Sequence, residues 1–178
     1  LDISRMEVGG FVIAHEKQPF STIVERARAQ LNTLTAQHKL VLNIPNTLPM
    51  VIADTQRSSQ VLMNLIENAT KYSPLHSQIQ VSAKAEGNFV RISVTDQGPG
   101  IAQAEVKKVF EPFYRSKNQI TLEAKGTGLG LHICQRLVEA QGGSIKIQVH
   151  DGPGTIVTFT LAVAGPADEK EQVGTCAL

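Results

Sequence analysis

Two stretches of this sequence alternate so regularly that they leave little choice of local structure. Ile79, Val81, Ala83 and Ala85, then Val90, Ile92 and Val94, are each separated by one polar residue, with Glu86-Gly87-Asn88 between the runs. Ile145, Ile147 and Val149, then Val157, Phe159 and Leu161, repeat the pattern across Asp151-Gly152-Pro153-Gly154. Alternation with period two puts the apolar side chains on one face of a strand, so each stretch predicts a half-buried hairpin. A sheet with one apolar face must be covered by a second layer.

Helical periodicity elsewhere supplies that layer. Phe20, Val24, Ala27, Leu31 and Leu34 recur at steps of four and three, with Thr22 and Glu25 spaced as a capping box. A second helix is expected from an N-cap at Asp54 to about Tyr72, where Ser73-Pro74 ends it because Pro disfavours helical geometry in the residue before it. A third opens at Gly126-Thr127-Gly128-Leu129-Gly130, carries Leu131, Cys134 and Leu137 or Val138 on one side, and stops at Gly142-Gly143. Phe11-Val12-Ile13, Lys39 to Ile44 and Val51-Ile52-Ala53 read as short strands, and a short helix is expected near Gln103 to Phe110. The sum is a two-layer α/β sandwich: a mixed sheet of about five strands with three main helices on one face.

A length of 178 residues suits one sizeable domain. The formal charge of +1, the scarcity of aromatics and the absence of Trp argue against a nucleic-acid surface. Cys134 and Cys176 have neither metal spacing nor the density of a disulfide scaffold, which points to a reducing, cytoplasmic setting. No apolar run reaches the roughly 20 residues of a membrane span, so no direct membrane contact is expected. The start has no signal-peptide pattern and no initiator Met, which suggests a piece of a longer protein. Residues 1–10 read as the last turns of a helix ended by Gly9-Gly10, residues 11–162 as the folded domain, and residues 163–178 as a disordered tail.

The helix ending at Tyr72 has two chemically different faces. At about 100° per residue, Asn64, Glu67, Asn68 and Lys71 share one arc, while Val61, Leu62, Leu65, Ile66, Ala69 and Tyr72 fill the other side. By itself the polar stripe reads as solvated surface. The glycine clusters change its meaning. Gly126-x-Gly128-x-Gly130 opening a helix exposes backbone N–H groups to an anionic phosphate without Cβ obstruction. It matches neither the dinucleotide fingerprint nor a Walker lysine loop.

The order of the parts is more specific than any one of them. An Asn-rich helix is followed by Asp96-Gln97-Gly98-Pro99-Gly100 after a strand, then Val109-Phe110-Glu111-Pro112-Phe113-Tyr114-Arg115, then Gly126 to Leu131. This series resembles the ATP-binding catalytic domain of sensor histidine kinases, part of the group that shares the Bergerat nucleotide fold with type II topoisomerase, Hsp90 and mismatch-repair ATPases. The resemblance covers about residues 15 to 162. Residues 1–10 resemble, more weakly, the end of that family's dimerisation and phosphoacceptor domain.

The resemblance implies ATP and Mg²⁺ as cofactors and a role for each matched residue. Asp96 would accept a hydrogen bond from the adenine N6 amine and repel guanine's carbonyl there. Gly98, Gly100 and Ile101 would line the base. Thr155 either supports the same adenine edge or is a plain strand-surface residue, and Tyr72 either packs along the nucleotide or belongs to the core. Asn68 would hold Mg²⁺ through its amide carbonyl, Asn64 would line the same site, and Lys71 would reach the phosphates. Gly126, Thr127, Gly128, Leu129, Gly130 and Leu131 would bracket the triphosphate. Residues 111–125 would form a lid anchored by Phe110 and Phe113, with Arg115 placed to stabilise charge on the γ-phosphate.

Hydrolytic members of the group place a Glu one helical turn before the metal Asn, where it activates water. Asn64 occupies that position here and cannot act as a base. This favours phosphoryl transfer to a protein group, with Glu67 left open as an orienting or proton-accepting residue. The family's phosphoacceptor His lies on a dimerisation helix upstream of Leu1. His15-Glu16 imitates the acceptor pair but falls in the linker; His38, His76 and His150 read as surface or turn residues, and His132 as structural. The expected partners are the protein's own dimerisation domain in a homodimer and a response regulator Asp. The alternatives are a hydrolytic ATPase of the same fold and a nucleotide-sensing pseudokinase module.

Overall fold

Polar–apolar alternation in the sequence becomes strand register in the fold. The computed structural model describes residues 12–116, 126–149 and 153–165. Seven strands occur among them: β1 (Glu16–Gln18), β2 (Lys39–Asn43), β3 (Val51–Ala53), β4 (Gln78–Glu86), β5 (Phe89–Thr95), β6 (Ile145–Gln148) and β7 (Ile156–Val163). They form one sheet in the order β1-β3-β7-β5-β4-β2, with β6 also pairing β7. The sheet is mixed, because β2 runs parallel to β4 while the other pairs are antiparallel.

Register explains the core. Ala83 lies opposite Ile92, Ile92 opposite Phe159, and Phe159 opposite Ile145, so one continuous apolar row crosses four strands. All four side chains are buried. Three helices cover this face: α1 (Phe20–Leu34), α2 (Thr55–Tyr72) and α3 (Gly130–Glu139). They contribute Phe20, Ile23, Ala27 and Leu31, then Val61, Leu62, Leu65, Ile66 and Ala69, then Cys134, Leu137 and Val138. The apolar side of α2 is therefore the core side, as its spacing requires.

Helix α2 starts where a carboxylate can satisfy its first turn: Asp54 Oδ1 accepts from Arg57 N at 2.9 Å. It ends at Ser73, before Pro74, whose predecessor is held in extended geometry.

Several expectations are corrected. No strand forms at Val12-Ile13; Val12 is 93% exposed and pairing begins at Glu16, while Phe11 lies outside the described residues. The Thr22–Glu25 capping box is absent, because Pro19 precedes the helix and Thr22 sits within its first turn. The segment near 103–110 is two short 3-10 turns, Gln103–Glu105 and Lys108–Phe110. β6 ends at Gln148, leaving Val149 44% exposed. β7 runs one residue past the expected boundary at 162, since Val163 pairs with Val51. The sheet exceeds five strands because the short β1 and β3 extend it beyond β7. Residues 1–10, the Asp151-Gly152 turn with His150, and residues 166–178 lie outside the described residues.

Because Ile92 is fully buried at the centre of the four-strand row, Ile92→Ala is expected to lower unfolding free energy by about 2–5 kcal/mol in urea denaturation. A change under about 0.5 kcal/mol would contradict this placement of the core.

Candidate functional site

The polar stripe of α2 faces backbone rather than open solvent. A Cβ built on Gly130, the first residue of α3, would lie 3.7 Å from Asn68 Nδ2. One built on Gly126 would collide with Lys71 Nζ. One on Gly98 would lie 2.9 Å from Tyr72 O, at the last turn of α2. Two glycine-bearing segments distant in sequence, one at Gly98 and one at Gly126 to Gly130, thus meet Asn68, Lys71 and Tyr72 along a single helix. The absence of side chains at these glycines is what permits the approach. Lys71 Nζ also sits 5.1 Å from the centroid of the Tyr72 ring, within cation–π range.

Asp96 terminates β5 and ties two loops together. Its Oδ1 accepts from Gly98 N at 2.8 Å and from Thr155 N at 3.1 Å, while Asp96 N donates to Thr155 O at 3.0 Å. Gly154, just before Thr155, packs so closely that a Cβ there would meet Asp96 O. Asp96 is half-buried, as are Gly100 and Thr155, and Ile101 packs against the core. The side chain therefore has a structural duty beside any contact with ligand.

The helix α3 begins only at Gly130, so Gly126 to Leu129 is loop and not the helix's first turn. Within it Gly128 has φ of +73° and its carbonyl accepts from Phe113 N at 3.1 Å. A Cβ on Gly128 would lie 2.7 Å from Phe113 C and from Tyr114 O. The two described ends of the 111–130 stretch are thereby locked together, and residues 117–125 of the expected lid lie outside the described residues. Glu105, which sequence reasoning passed over, holds this end: it accepts from Tyr114 Oη at 2.8 Å and from Ser116 Oγ at 2.9 Å. The bond to Glu105 also raises the Tyr114 pKa. Arg115 lies between these two anchored residues, half-buried. Phe110 packs on the core and its carbonyl accepts from His132 Nδ1 at 3.1 Å, which gives His132 a structural role. Phe113 is 66% exposed and does not anchor by burial; its backbone does.

The remaining candidates divide. Asn64 is half-buried, and its amide lies near enough to Cys134 on α3 to act on that thiol's pKa. Burial pushes that thiol up to about 12, only partly offset by Asn64, and its Sγ lies 3.8 Å from Val61 O. Leu129 and Leu131 are half-buried, with Leu131 against the core. Glu67 and Thr127 are exposed. Gly154 was missed as well; its position beside Asp96 was hidden in a turn sequence that any hairpin could carry.

With this geometry in place, comparison with known proteins is decisive. The family model of histidine kinase-, DNA gyrase B- and HSP90-like ATPases matches residues 53–165. The chain belongs to this ATPase family. Within it, sensor histidine kinase WalK of Bacillus subtilis is 41% identical over 128 residues, 70% of this chain and 21% of that protein. Full-length ShkA in complex with AMPPNP superposes with a TM-score of 0.76 at 25% identity, covering 91% of this chain and 34% of that one. The mycobacterial sensor histidine kinase MprB superposes at 0.72 with 26% identity, covering 84% and 97%. The chain is thus an ATP-binding catalytic domain of the sensor histidine kinase type. It spans 31%, 20% and 21% of three curated relatives. No helix among the described residues is long and apolar enough to cross a membrane.

The Cys134 thiol gives a test by pH. With the folded value raised above the ordinary 9.0, the stability gained from burying the neutral thiol is fully present below about 9 and lost as pH rises toward 12. The stability of the wild type relative to Cys134→Ala should therefore fall between pH 8 and pH 10 in urea titrations, and a constant difference would contradict it.

Proposed function

We propose that this chain is the catalytic half of a two-component sensor kinase, binding Mg-ATP and donating the γ-phosphoryl group to a His on its own dimerisation domain. In that step the bond from the γ-phosphorus to its bridging oxygen breaks, an N–P bond forms on the imidazole, and ADP leaves. The phosphoryl group then passes to an Asp of a response regulator. The observation that carries this reading is the convergence of Asn68 and Lys71 on Gly130 and Gly126. An amide and an ammonium group facing a glycine loop and a helix start suit a polyphosphate.

Asp96 Oδ1 is occupied by two backbone donors, and its second oxygen would accept the adenine N6 amine. Gly98, Gly100, Ile101 and Thr155 would surround the base, and Tyr72 would flank it. The residues also fit Mg²⁺. The Asn68 carbonyl is a hard neutral oxygen, and no group of three His, Cys, Asp or Glu gathers among the described residues. That suits a cation which keeps water and phosphate oxygens as its other ligands. Bound Mg²⁺ would neutralise charge on the triphosphate. Lys71 would add to that from α2, Arg115 from its anchored segment, and the loop Gly126 to Leu131 would bracket the phosphates. The AMPPNP in ShkA supports an adenine nucleotide, and the matched sensor kinases support a protein acceptor. The homodimer, the response regulator and a cytoplasmic setting for this domain are part of the same reading. So is the division into a helix end at 1–10, a catalytic domain and a tail.

Asn64 favours transfer over hydrolysis, because a side-chain amide cannot take a proton from water. Glu67, the only carboxylate on the stripe, is exposed and would orient or accept a proton at the transfer step.

Two experiments test this. Asp96→Asn keeps the Oδ1 acceptor for Gly98 and Thr155 but turns the second oxygen into a donor. ATP affinity should fall at least about tenfold with the melting temperature little changed, whereas unchanged affinity would remove Asp96 from adenine recognition. Mixed with Mg-ATP and the dimerisation domain of its parent protein, this chain should generate acid-labile, alkali-stable phosphohistidine. ATP binding without any phosphohistidine would rule out the kinase assignment.

A further inference from the structure

Helices α2 and α3 lie antiparallel, and their far ends are joined by a buried polar node. Gln141, 4% exposed just beyond α3, accepts through Oε1 from Asp54 N at 2.9 Å and from Ser58 Oγ at 2.9 Å. Its Nε2 donates to Leu137 O at 2.9 Å. Asp54, at the start of α2, caps that helix and also accepts from Ala14 N at 3.0 Å. Ser58 is fully buried. Midway along the pair, Cys134 Sγ meets Val61 O; at the other end Asn68 meets Gly130. At about 1.5 Å per residue, Ser58 and Asn68 are about 15 Å apart along α2, and Gln141 and Gly130 are about as far apart along α3.

We infer that Gln141 is a positioning residue for the triphosphate end of the nucleotide site, holding Asn68 against Gly130 from the opposite end of the helix pair. The inference rests on the nucleotide reading above. Two packed helices behave as rods that pivot about a contact between their ends, here Val61 with Cys134. Loss of the Oε1 acceptor leaves two buried donors without a partner, a costly state unless water reaches them. Admitting water requires the Gln141 end of α3 to part from Asp54 and Ser58. The rods then tilt, and the spacing of Gly130 from Asn68 changes in turn. The adenine end does not share this dependence: Gly98 meets Tyr72 on α2 itself, and Asp96, Gly98 and Thr155 are tied together through the Asp96 carboxylate and backbone, with none of these contacts reaching α3.

The test separates the two ends. Affinity for Mg-ATP and for adenosine would be measured by NMR titration, well below the melting temperature, for the wild type, Gln141→Leu and the α1 core variant Leu31→Ala. Gln141→Leu should bind Mg-ATP at least about tenfold more weakly and adenosine unchanged, while Leu31→Ala binds both as the wild type does. Should Gln141→Leu fail to fold, the near-isosteric Gln141→Met removes the same acceptor and should show the same split. Equal weakening toward both ligands would make Gln141 merely structural and overturn the inference. So would wild-type affinity for both in the variant. A wild type that binds neither ligand would instead defeat the nucleotide reading on which the inference rests.

Discussion

The close approach of one helix to two glycine-bearing segments is the constraint on which this structure depends. α2 is the inner wall of the core on one side and the floor of the candidate site on the other. Val61, Leu62, Leu65 and Ile66 are at most 2% exposed, so the helix has no freedom to rotate without exposing them. Burial at about 25 cal/mol per Å² of apolar surface therefore fixes where Asn68 and Lys71 face. The glycines at 98, 126 and 130 then let neighbouring backbone come within reach of that polar stripe. Core packing and site geometry are two consequences of the same helix orientation.

Much of this was legible in the residues themselves. Alternation set the strands and their buried faces, and Asp54 and Pro74 set the ends of α2 to the residue. The Asn64–Lys71 stripe gained meaning only from the order of motifs downstream of it. What escaped was local and tertiary. The short β1 carries three residues, Glu16–Gln18, none of them apolar, and is recruited by pairing with β3. The capping box at Thr22 lost to Pro19, whose fixed φ of −74° already starts the helix. Gln141 reads as an ordinary surface residue after a helix; nothing in its neighbours announces that Asp54 and Ser58, more than 80 positions away, will share its side-chain oxygen. Buried polar contacts between distant segments have no sequence period, so pattern reading cannot find them.

Asp96 shows how structural and recognition duties combine in one side chain. One carboxylate oxygen, Oδ1, organises the turn at Gly98 and the approach of Thr155, so any base the residue recognises shares the carboxylate with these loop contacts. A full deletion of the side chain would therefore disturb the loops as well as any ligand, and the amide variant is the cleaner probe. Asn64 makes a complementary point. Half-buried and near the Cys134 thiol of α3, it carries an amide that supplies no base.

The central claim is that the Asn68–Gly130 and Asp96–Thr155 groupings form the two ends of one Mg-ATP site. The most direct measurement is a crystal structure of this chain with Mg-AMPPNP. The account predicts the adenine amine on the Asp96 carboxylate, the metal on the Asn68 carbonyl, and the phosphates along Gly126 to Gly130. Nucleotide bound elsewhere, or bound with Asp96 and Asn68 both outside hydrogen-bonding or coordination distance, would contradict it.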